Sequence, residues 1–558
     1  MVKRRSANPV AESPTDLSWP ARRAALSDAP KGADVAARSL PATAAMLAKK
    51  SMRLYGDWAR TLLGKNEREV PAEDPRFANP AWRDHSLYRR LGQGYLAFSE
   101  TADRLAANNP HWRKRERAKF LGGVLTITLA PSNTLLANPA ALKRAFETGG
   151  MSLVKGAKNM IDDLLHNKGM PRQVKASAFK KGDSLAATPG AVVFRNEMVE
   201  LIQYQPMTAE VTERPTLLSV PPIGKYCFMD LAPKRSFIEY AVSRGVPMFV
   251  TSWRNPGPEQ GHWGVDDYVQ TLLNVVDSVC EITGSKQLNT LGMCAGGILT
   301  TLMLAVMAQR GDRRVNAAAF GVMLLDFDAE APIGGLKARP VLALVRRRSA
   351  SKGILPASPL ASVFAWMRPN DLVWNHWANN YLMGKEPPSF DISAWSVDGT
   401  NLPVRLHGQF LDIFDGNLLA RPGAFKVLGL PIDLRRVKLE TFATGALTDH
   451  LTPWSACYKS IQLLGGRSTF VLSNSGHIAS LVNPPGNPKA SYWVGPRPED
   501  EPEQWRAQAT QKAGTWWEVW AEWTLARSGP MRAACTGPGS ARHVATAAAP
   551  GEYVHQKS

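Results

Sequence analysis

The stretch "LNTLGMCAGGILTTLMLAVM", Leu288 to Met307, constrains the fold of this chain more than any other. A short apolar run ends in Gly292-Met293-Cys294-Ala295-Gly296 and passes directly into a strong helix candidate, "GILTTLMLAVMAQ". A strand that turns into a helix this abruptly needs small neighbours, because the backbones pass closely and larger side chains collide. Such a turn presents one side chain at its tip, here Cys294. An arbitrary cysteine is more often a small buried hydrophobe. The strand on one side and the helix on the other favour a presented thiol.

The surrounding sequence has the texture that such a turn requires. After about Lys181, short apolar runs alternate with helical segments, which argues for βαβ units and a largely parallel sheet. Candidate strands are Thr216 to Val220, Pro247 to Trp253, Leu288 to Met293, Val322 to Phe327, Leu439 to Gly445 and Ser468 to Asn474. Between the fourth and fifth lies an insertion, roughly 330–435, rich in Trp, Pro and Asn and mostly non-strand, placed to cover the carboxyl edge of the sheet. Residues 71–185 read as mostly helical, with long apolar-periodic stretches broken at Asn-Pro and Gly-Gly. Residues 1–70 are rich in Ala, Pro and Ser and are expected to be flexible, apart from an amphipathic piece, Ala44 to Leu63. The expectation is an α/β chain with the α/β-hydrolase fold over 186–558, a cap at about 330–435, and a helical N-terminal domain before it.

A nucleophile elbow on that fold takes its acid and then its base from later strand ends, in that order. "LETFATGALTDHLTPW" places Asp449 and His450 just past one candidate strand, and "STFVLSNSGHIASLVNPP" places His477 just past the next. The order Cys294, Asp449, His477 is that of a catalytic triad, with His450 left as a possible accessory. The oxyanion hole calls for two backbone N–H groups. One is Ala295, directly after the nucleophile; the other is Ile223 or Gly224, in the loop "VPPIGKYCFMDL" after an early strand.

Composition excludes several alternatives. Five cysteines without paired or Cys-x-x-Cys spacing argue against a disulfide framework or a zinc site and fit a reducing cytoplasm. No metal is expected. The basic start "MVKRR" is not followed by an apolar stretch, so no secretory signal is read, and no apolar run reaches the roughly 20 residues of a membrane span. The net charge of +19 is concentrated at the front: residues 1–185 hold 32 Lys and Arg against 17 Asp and Glu, a net +15. Clusters such as "HWRKRERAKF", His111 to Phe120, read either as a solvated helical face or as a polyanion-binding one. No nucleic-acid motif accompanies them. The stripe Trp516, Trp520 and Trp523 fits core packing or a dimer contact better than polymer binding.

"GMCAGG", "TDHLTPW", "LSNSGHIASLVNPPGNPKASYW", "VTSWRNP", "MRPNDLVWNHWANNYLMG" and "FANPAWRDHSLYRR" together resemble the polyhydroxyalkanoate synthases, from about Asp74 to the tail "PGEYVHQKS". The "NPPGNPKA" run, the tail and the chain length are most similar to the class II, single-subunit type, associated with medium-chain substrates. The resemblance implies polymerisation of (R)-3-hydroxyacyl-CoA into storage polyester, with Cys294 as nucleophile and Asp449 and His477 as its partners. It further implies a cytoplasmic enzyme on polymer granules, a homodimer, and no separate cofactor, CoA being the leaving group. One departure stands in the oxyanion loop: where the family commonly has "PPxINK", this chain has the shorter "PPIGK". Two rival readings are a Cys-dependent hydrolase or thioesterase on the same fold and a non-catalytic granule-coating protein; the complete Cys, Asp, His set speaks against the second.

Overall fold

A computed structural model describes residues 69–175, 178–498 and 501–558. The flexible segment expected at 1–70 and the amphipathic piece at 44–63 lie outside the described residues, except for residues 69 and 70.

After one short helical turn, Ala81–Asp84, come four helices: α1 (Ser86–Ala107), α2 (Trp112–Thr128), α3 (Pro139–Glu147) and α4 (Met151–His166). The start of α3 shows why it begins there. Asn138 caps it by accepting from the N–H groups of Ala140 and Ala141, and Pro139 occupies the first position, where a missing N–H costs nothing. A small core of Val70, Phe77, Trp82, Tyr95 and Ala130 anchors the beginning of this region.

The centre of the molecule is an eleven-stranded mixed sheet. Its strands are β1 (Gly190–Arg195), β2 (Val199–Tyr204), β3 (Thr216–Ser219), β4 (Met248–Trp253), β5 (Leu288–Met293), β6 (Val315–Gly321), β7 (Glu440–Ala446), β8 (Ser468–Ser473), β9 (Ser491–Val494), β10 (Thr510–Ala513) and β11 (Ala547–Ala548). They lie in the order β10-β9-β8-β7-β6-β5-β3-β4-β2-β1-β11. The block from β8 to β4 is parallel, and antiparallel strands extend it at both edges. Strands buried on both faces read as continuous apolar runs, and every residue of β2, β4 and β5 is buried.

Helices α5 (Val265–Thr283) and α6 (Cys294–Arg310) pack against each other beside this sheet. Asp267 starts α5 by accepting the N–H of Gly264 at 2.7 Å, and Gly284 ends it in the left-handed conformation. Helix α6 is buried from Gly296 to Met307 and ends at Gly311, also left-handed.

Five of the six expected strands form within a residue or two of their expected places. The fourth does not. The strand is "VNAAAFG", Val315–Gly321, and the expected Val322 to Phe327 is the buried loop that follows it. Small residues are needed on this central strand, since a Cβ on Gly321 would come within 2.4 Å of the Met293 sulfur. The loop after it is apolar because it is covered: Val322 N–H donates to Thr444 O at 2.9 Å and Leu325 N–H to Ser460 Oγ at 2.8 Å.

The long excursion between β6 and β7, residues 322–439, carries α7 (Arg339–Ala350), α8 (Ala357–Met367), α9 (Asp391–Ser396) and α10 (Val404–Gly416). Its strands are only two short pairs, Ile354–Leu355 with Leu402–Pro403 and Lys426–Val427 with Leu430–Pro431. The N-terminal helices hold this excursion. Arg113 and Arg115 pair with Asp328 and Glu330, and Arg117 donates to Gly335 O and Lys337 O. Tyr381 Oη donates to Asp163 at 2.9 Å and Trp377 Nε1 to Asn133 O at 3.1 Å. The basic cluster on α2 is therefore neither a simple solvated face nor a free anion site; its arginines bind the cap.

After β7 come α11 (Trp454–Ile461), α12 (His477–Leu481) and α13 (Trp516–Leu525). Of the two readings of the stripe Trp516, Trp520 and Trp523, core packing or a dimer contact, the structure shows core packing. Trp516, Trp517 and Trp520 are all at most 1% exposed, and Phe237 packs against all three rings.

Candidate active site

Strand β5 ends at Met293, and Cys294 takes φ +47°, the left-handed region that a side chain rarely adopts. The turn is possible because the residues around it are glycines. A Cβ on Gly296 would lie 2.5 Å from Ser219 O and 2.6 Å from the carbonyl carbon of Val220, and one on Gly292 would lie 2.6 Å from Gly297 Cα. These are backbone atoms and have little room to yield. Gly296→Ala is therefore expected to cost at least about 3 kcal/mol, the upper end for overpacking. Urea unfolding measures the loss, and a variant as stable as the parent would refute this account of the elbow.

Cys294 and Ala295 are partly exposed while Met293 and Gly296 on either side are buried. The Cys294 side chain lies close enough to His477, the first residue of α12, to help raise the imidazole. His477 is 6% exposed, and its Nδ1 meets Asp449 Oδ2 at 2.6 Å, which leaves Nε2 for the thiol. Asp449 is held on every side. Its Oδ1 accepts the N–H groups of Leu451 (2.8 Å) and Thr452 (2.9 Å), and its Oδ2 accepts the Thr452 hydroxyl at 2.8 Å. The structure thus brings together the three residues that chain order selected.

The electrostatics follow from this packing. Burial alone pulls the His477 imidazole down, but the charge of Asp449 and the hydrogen bond to it win, and the imidazole is raised to about 10. Burial pushes the Asp449 carboxyl up; the His477 charge and the hydrogen bonds from His477 and Thr452 outweigh that and hold it below its usual range. Asp449 thus makes the imidazole a strong base, and the two form an ion pair once His477 has taken up a proton.

His450 does not join this chain of bonds. Its Nδ1 is buried with no hydrogen-bond partner, and burial, with the nearby Arg368 charge, lowers its pKa to about 4, so the ring is neutral. Ala295 is the second residue of α6, in the first turn, where helix N–H groups have no intrahelical acceptor. Ile223 and Gly224 lie in the loop after β3, whose end touches the elbow at Gly296. The excursion reaches this loop as well: Thr400 Oγ1 donates to Pro222 O at 2.6 Å, Trp395 Nε1 to Lys225 O at 2.7 Å, and Gly224 bridges to Gly399.

Thr452 and Trp517 escaped the sequence reading, and Trp516 was read only as part of a core or dimer stripe. Thr452 could have been found from "TDHLTPW", since Asp followed three residues later by Thr is a side-chain turn pattern. Trp516 and Trp517 had no such signal. Their indole N–H groups donate to Ser480 O (2.8 Å) and Leu481 O (2.9 Å), satisfying carbonyls at the end of α12 and fixing the helix that carries His477.

A mixed sheet with a parallel centre, a cysteine at the elbow after β5, an acid after β7 and a histidine after β8 defines a protein of the α/β-hydrolase fold. The family model described as "alpha/beta hydrolase fold" matches residues 230–484, and that described as "Poly-beta-hydroxybutyrate polymerase (PhaC) N-terminus" matches residues 73–241. The chain is 45% identical to poly(3-hydroxyalkanoate) polymerase 2 of Ectopseudomonas oleovorans, over 90% of each chain. It is 44% identical to polymerase 1 of the same organism over 89% of each, and 37% identical to the polymerase subunit PhaC of Cupriavidus necator over 90% of this chain and 86% of that one. The chain belongs to the poly(3-hydroxyalkanoate) polymerase family.

Proposed function

We propose that this chain polymerises (R)-3-hydroxyacyl-CoA into polyhydroxyalkanoate, releasing CoA, through an acyl group carried on Cys294. The observation that supports the mechanism most directly is the left-handed elbow that presents Cys294 beside His477, whose Nδ1 is hydrogen-bonded to Asp449 at 2.6 Å. His477 takes the thiol proton, and the thiolate attacks the thioester carbonyl. The tetrahedral oxyanion is received by the N–H of Ala295 and by that of Ile223 or Gly224, and CoA leaves as the thiol after taking the proton. His477 then removes the proton of a 3-hydroxyl, whose oxygen attacks the Cys294 thioester. An ester forms and the Cys294 sulfur is freed and reprotonated.

Cysteine suits this sequence better than serine. Passing an acyl group from CoA to Cys exchanges one thioester for another, so the intermediate keeps its activation for a weak alcohol nucleophile. Water would end the chain, and the excursion between β6 and β7 is the element that excludes it. We further place the enzyme in the cytoplasm at the polymer granule surface, as a homodimer. His450 is assigned no proton transfer. No cofactor is invoked.

With (R)-3-hydroxyacyl-CoA and purified protein, CoA release followed by a thiol reagent is expected to run in parallel with rising turbidity from polyester. Free hydroxy acid without polymer would show a thioesterase instead.

A further inference from the structure

Lys225 closes the "PPIGK" loop, and it is an unusual residue to bury: its exposure is 2%. Burial lowers its pKa to about 8. Its ammonium does not sit on a carboxylate. It donates to two backbone carbonyls of the C-terminal tail, Gln556 O at 2.6 Å and Tyr553 O at 3.4 Å. Burying a charge on neutral acceptors is expensive, and an apolar side chain of the same length would fill the space at lower cost.

The tail is itself fixed. Glu200, 0% exposed, accepts the N–H groups of Glu552 and Tyr553. Lys181 Nζ donates to Val554 O at 2.7 Å, and Gln556 Oε1 accepts Asn255 N–H at 2.9 Å. The opposite side of the same loop is gripped by the excursion, through Trp395 on Lys225 O and Thr400 on Pro222 O. The backbone from Pro222 to Lys225 is thus clamped between the last residues of the chain and the segment 395–400.

We propose that Lys225 is a positioning residue for the reaction: its ammonium, seated on the tail carbonyls, sets the place of the Pro222–Lys225 backbone and so of the N–H that receives the oxyanion. This rests on the reading of that loop as the second oxyanion donor. Lys225 touches no reacting atom; it acts through the loop. An oxyanion donor displaced from its acceptor loses most of its effect on turnover, while substrate binding, made elsewhere, persists.

The test uses three proteins: Lys225→Met, a chain ending at His555, which lacks the 2.6 Å acceptor, and the two changes combined. Steady-state CoA release gives kcat and KM. The rate of Cys294 alkylation by iodoacetamide reports the nucleophile without any oxyanion. Each single change is expected to lower kcat by about 10- to 100-fold, with KM within about twofold and the alkylation rate preserved. The combined protein should be no worse than the poorer of the two single changes, because both break the Lys225–Gln556 contact; the shortened chain in addition loses the contacts of Gln556 and Lys557 with Asn255. Unchanged kcat in the folded variants overturns the proposal, as does turnover lost in step with alkylation. If Lys225→Met does not fold, the shortened chain carries the same comparison. The donor reading is checked apart by Ile223→Pro and Gly224→Pro, each of which deletes one N–H. If neither lowers kcat, the donor lies elsewhere and the proposal falls with it; if one does and Lys225→Met does not, the proposal alone falls.

Discussion

Cys294→Ala is expected to abolish CoA release, by about 10⁶-fold, the loss that follows removal of the nucleophile from a triad acting as a unit. The substitution removes only the sulfur, and Ala fits the same turn, so the variant should melt within a few degrees of the parent. That pairing of an intact fold with a dead site is what separates chemistry from structure here. Differential scanning calorimetry and a thiol-release assay measure both quantities on one sample. CoA release that persists in a folded Cys294→Ala protein would remove the elbow from the mechanism.

The second large effect belongs to Asp449→Asn. The amide keeps the shape of the side chain but not its charge, and it can turn an N–H toward His477 and fix the wrong tautomer. The comparable change in a serine triad lowers kcat by about 10⁴-fold, and a loss of that order is expected. The sign of the accompanying titration is set by the competing causes. In the parent, burial pulls the His477 imidazole down and Asp449 pulls it up, with Asp449 winning. Removing the carboxylate leaves burial dominant, so the midpoint should drop from about 10 to the ordinary imidazole value of about 6.5 or below it. NMR of ring-labelled histidine, assigned with a His477 variant, follows it directly. A midpoint that stayed high would mean that Asp449 is not what holds the proton.

How much of this was legible in the sequence depended on how local each signal was. Cys294 could be read because its glycine neighbours, pressed against Gly297 nearby and against Ser219 and Val220 on the adjacent strand, are themselves visible as a motif. Asp449 and His477 could be read because strand ends are marked by apolar runs and chain order assigns the roles. The strand Val315–Gly321 could not: the glycine at its end answers to side chains from β5 and α12, Met293 and Leu481, which no window of sequence contains. The hairpin Gly190–Tyr204 was missed for a related reason. Burial on both faces of β2 erases the alternation that marks an exposed strand. The arginines of α2 showed the limit of charge counting. "HWRKRERAKF" signals a basic face, while Asp328 and Glu330, more than two hundred residues later, decide what that face meets.

The pairing of β6 with β7 across residues 322–439 also governs the order in which the molecule assembles. The two strands lie side by side, yet the ribosome delivers roughly 120 residues between them, and closing a loop of that size defers the contact. The first half of the sheet, with the thiol at its elbow, can collapse before the carboxylate and imidazole exist. During that interval the cysteine lacks the base that would make it reactive. On the proposed mechanism, synthesis from one end leaves the newborn thiol without its base until the final strands dock.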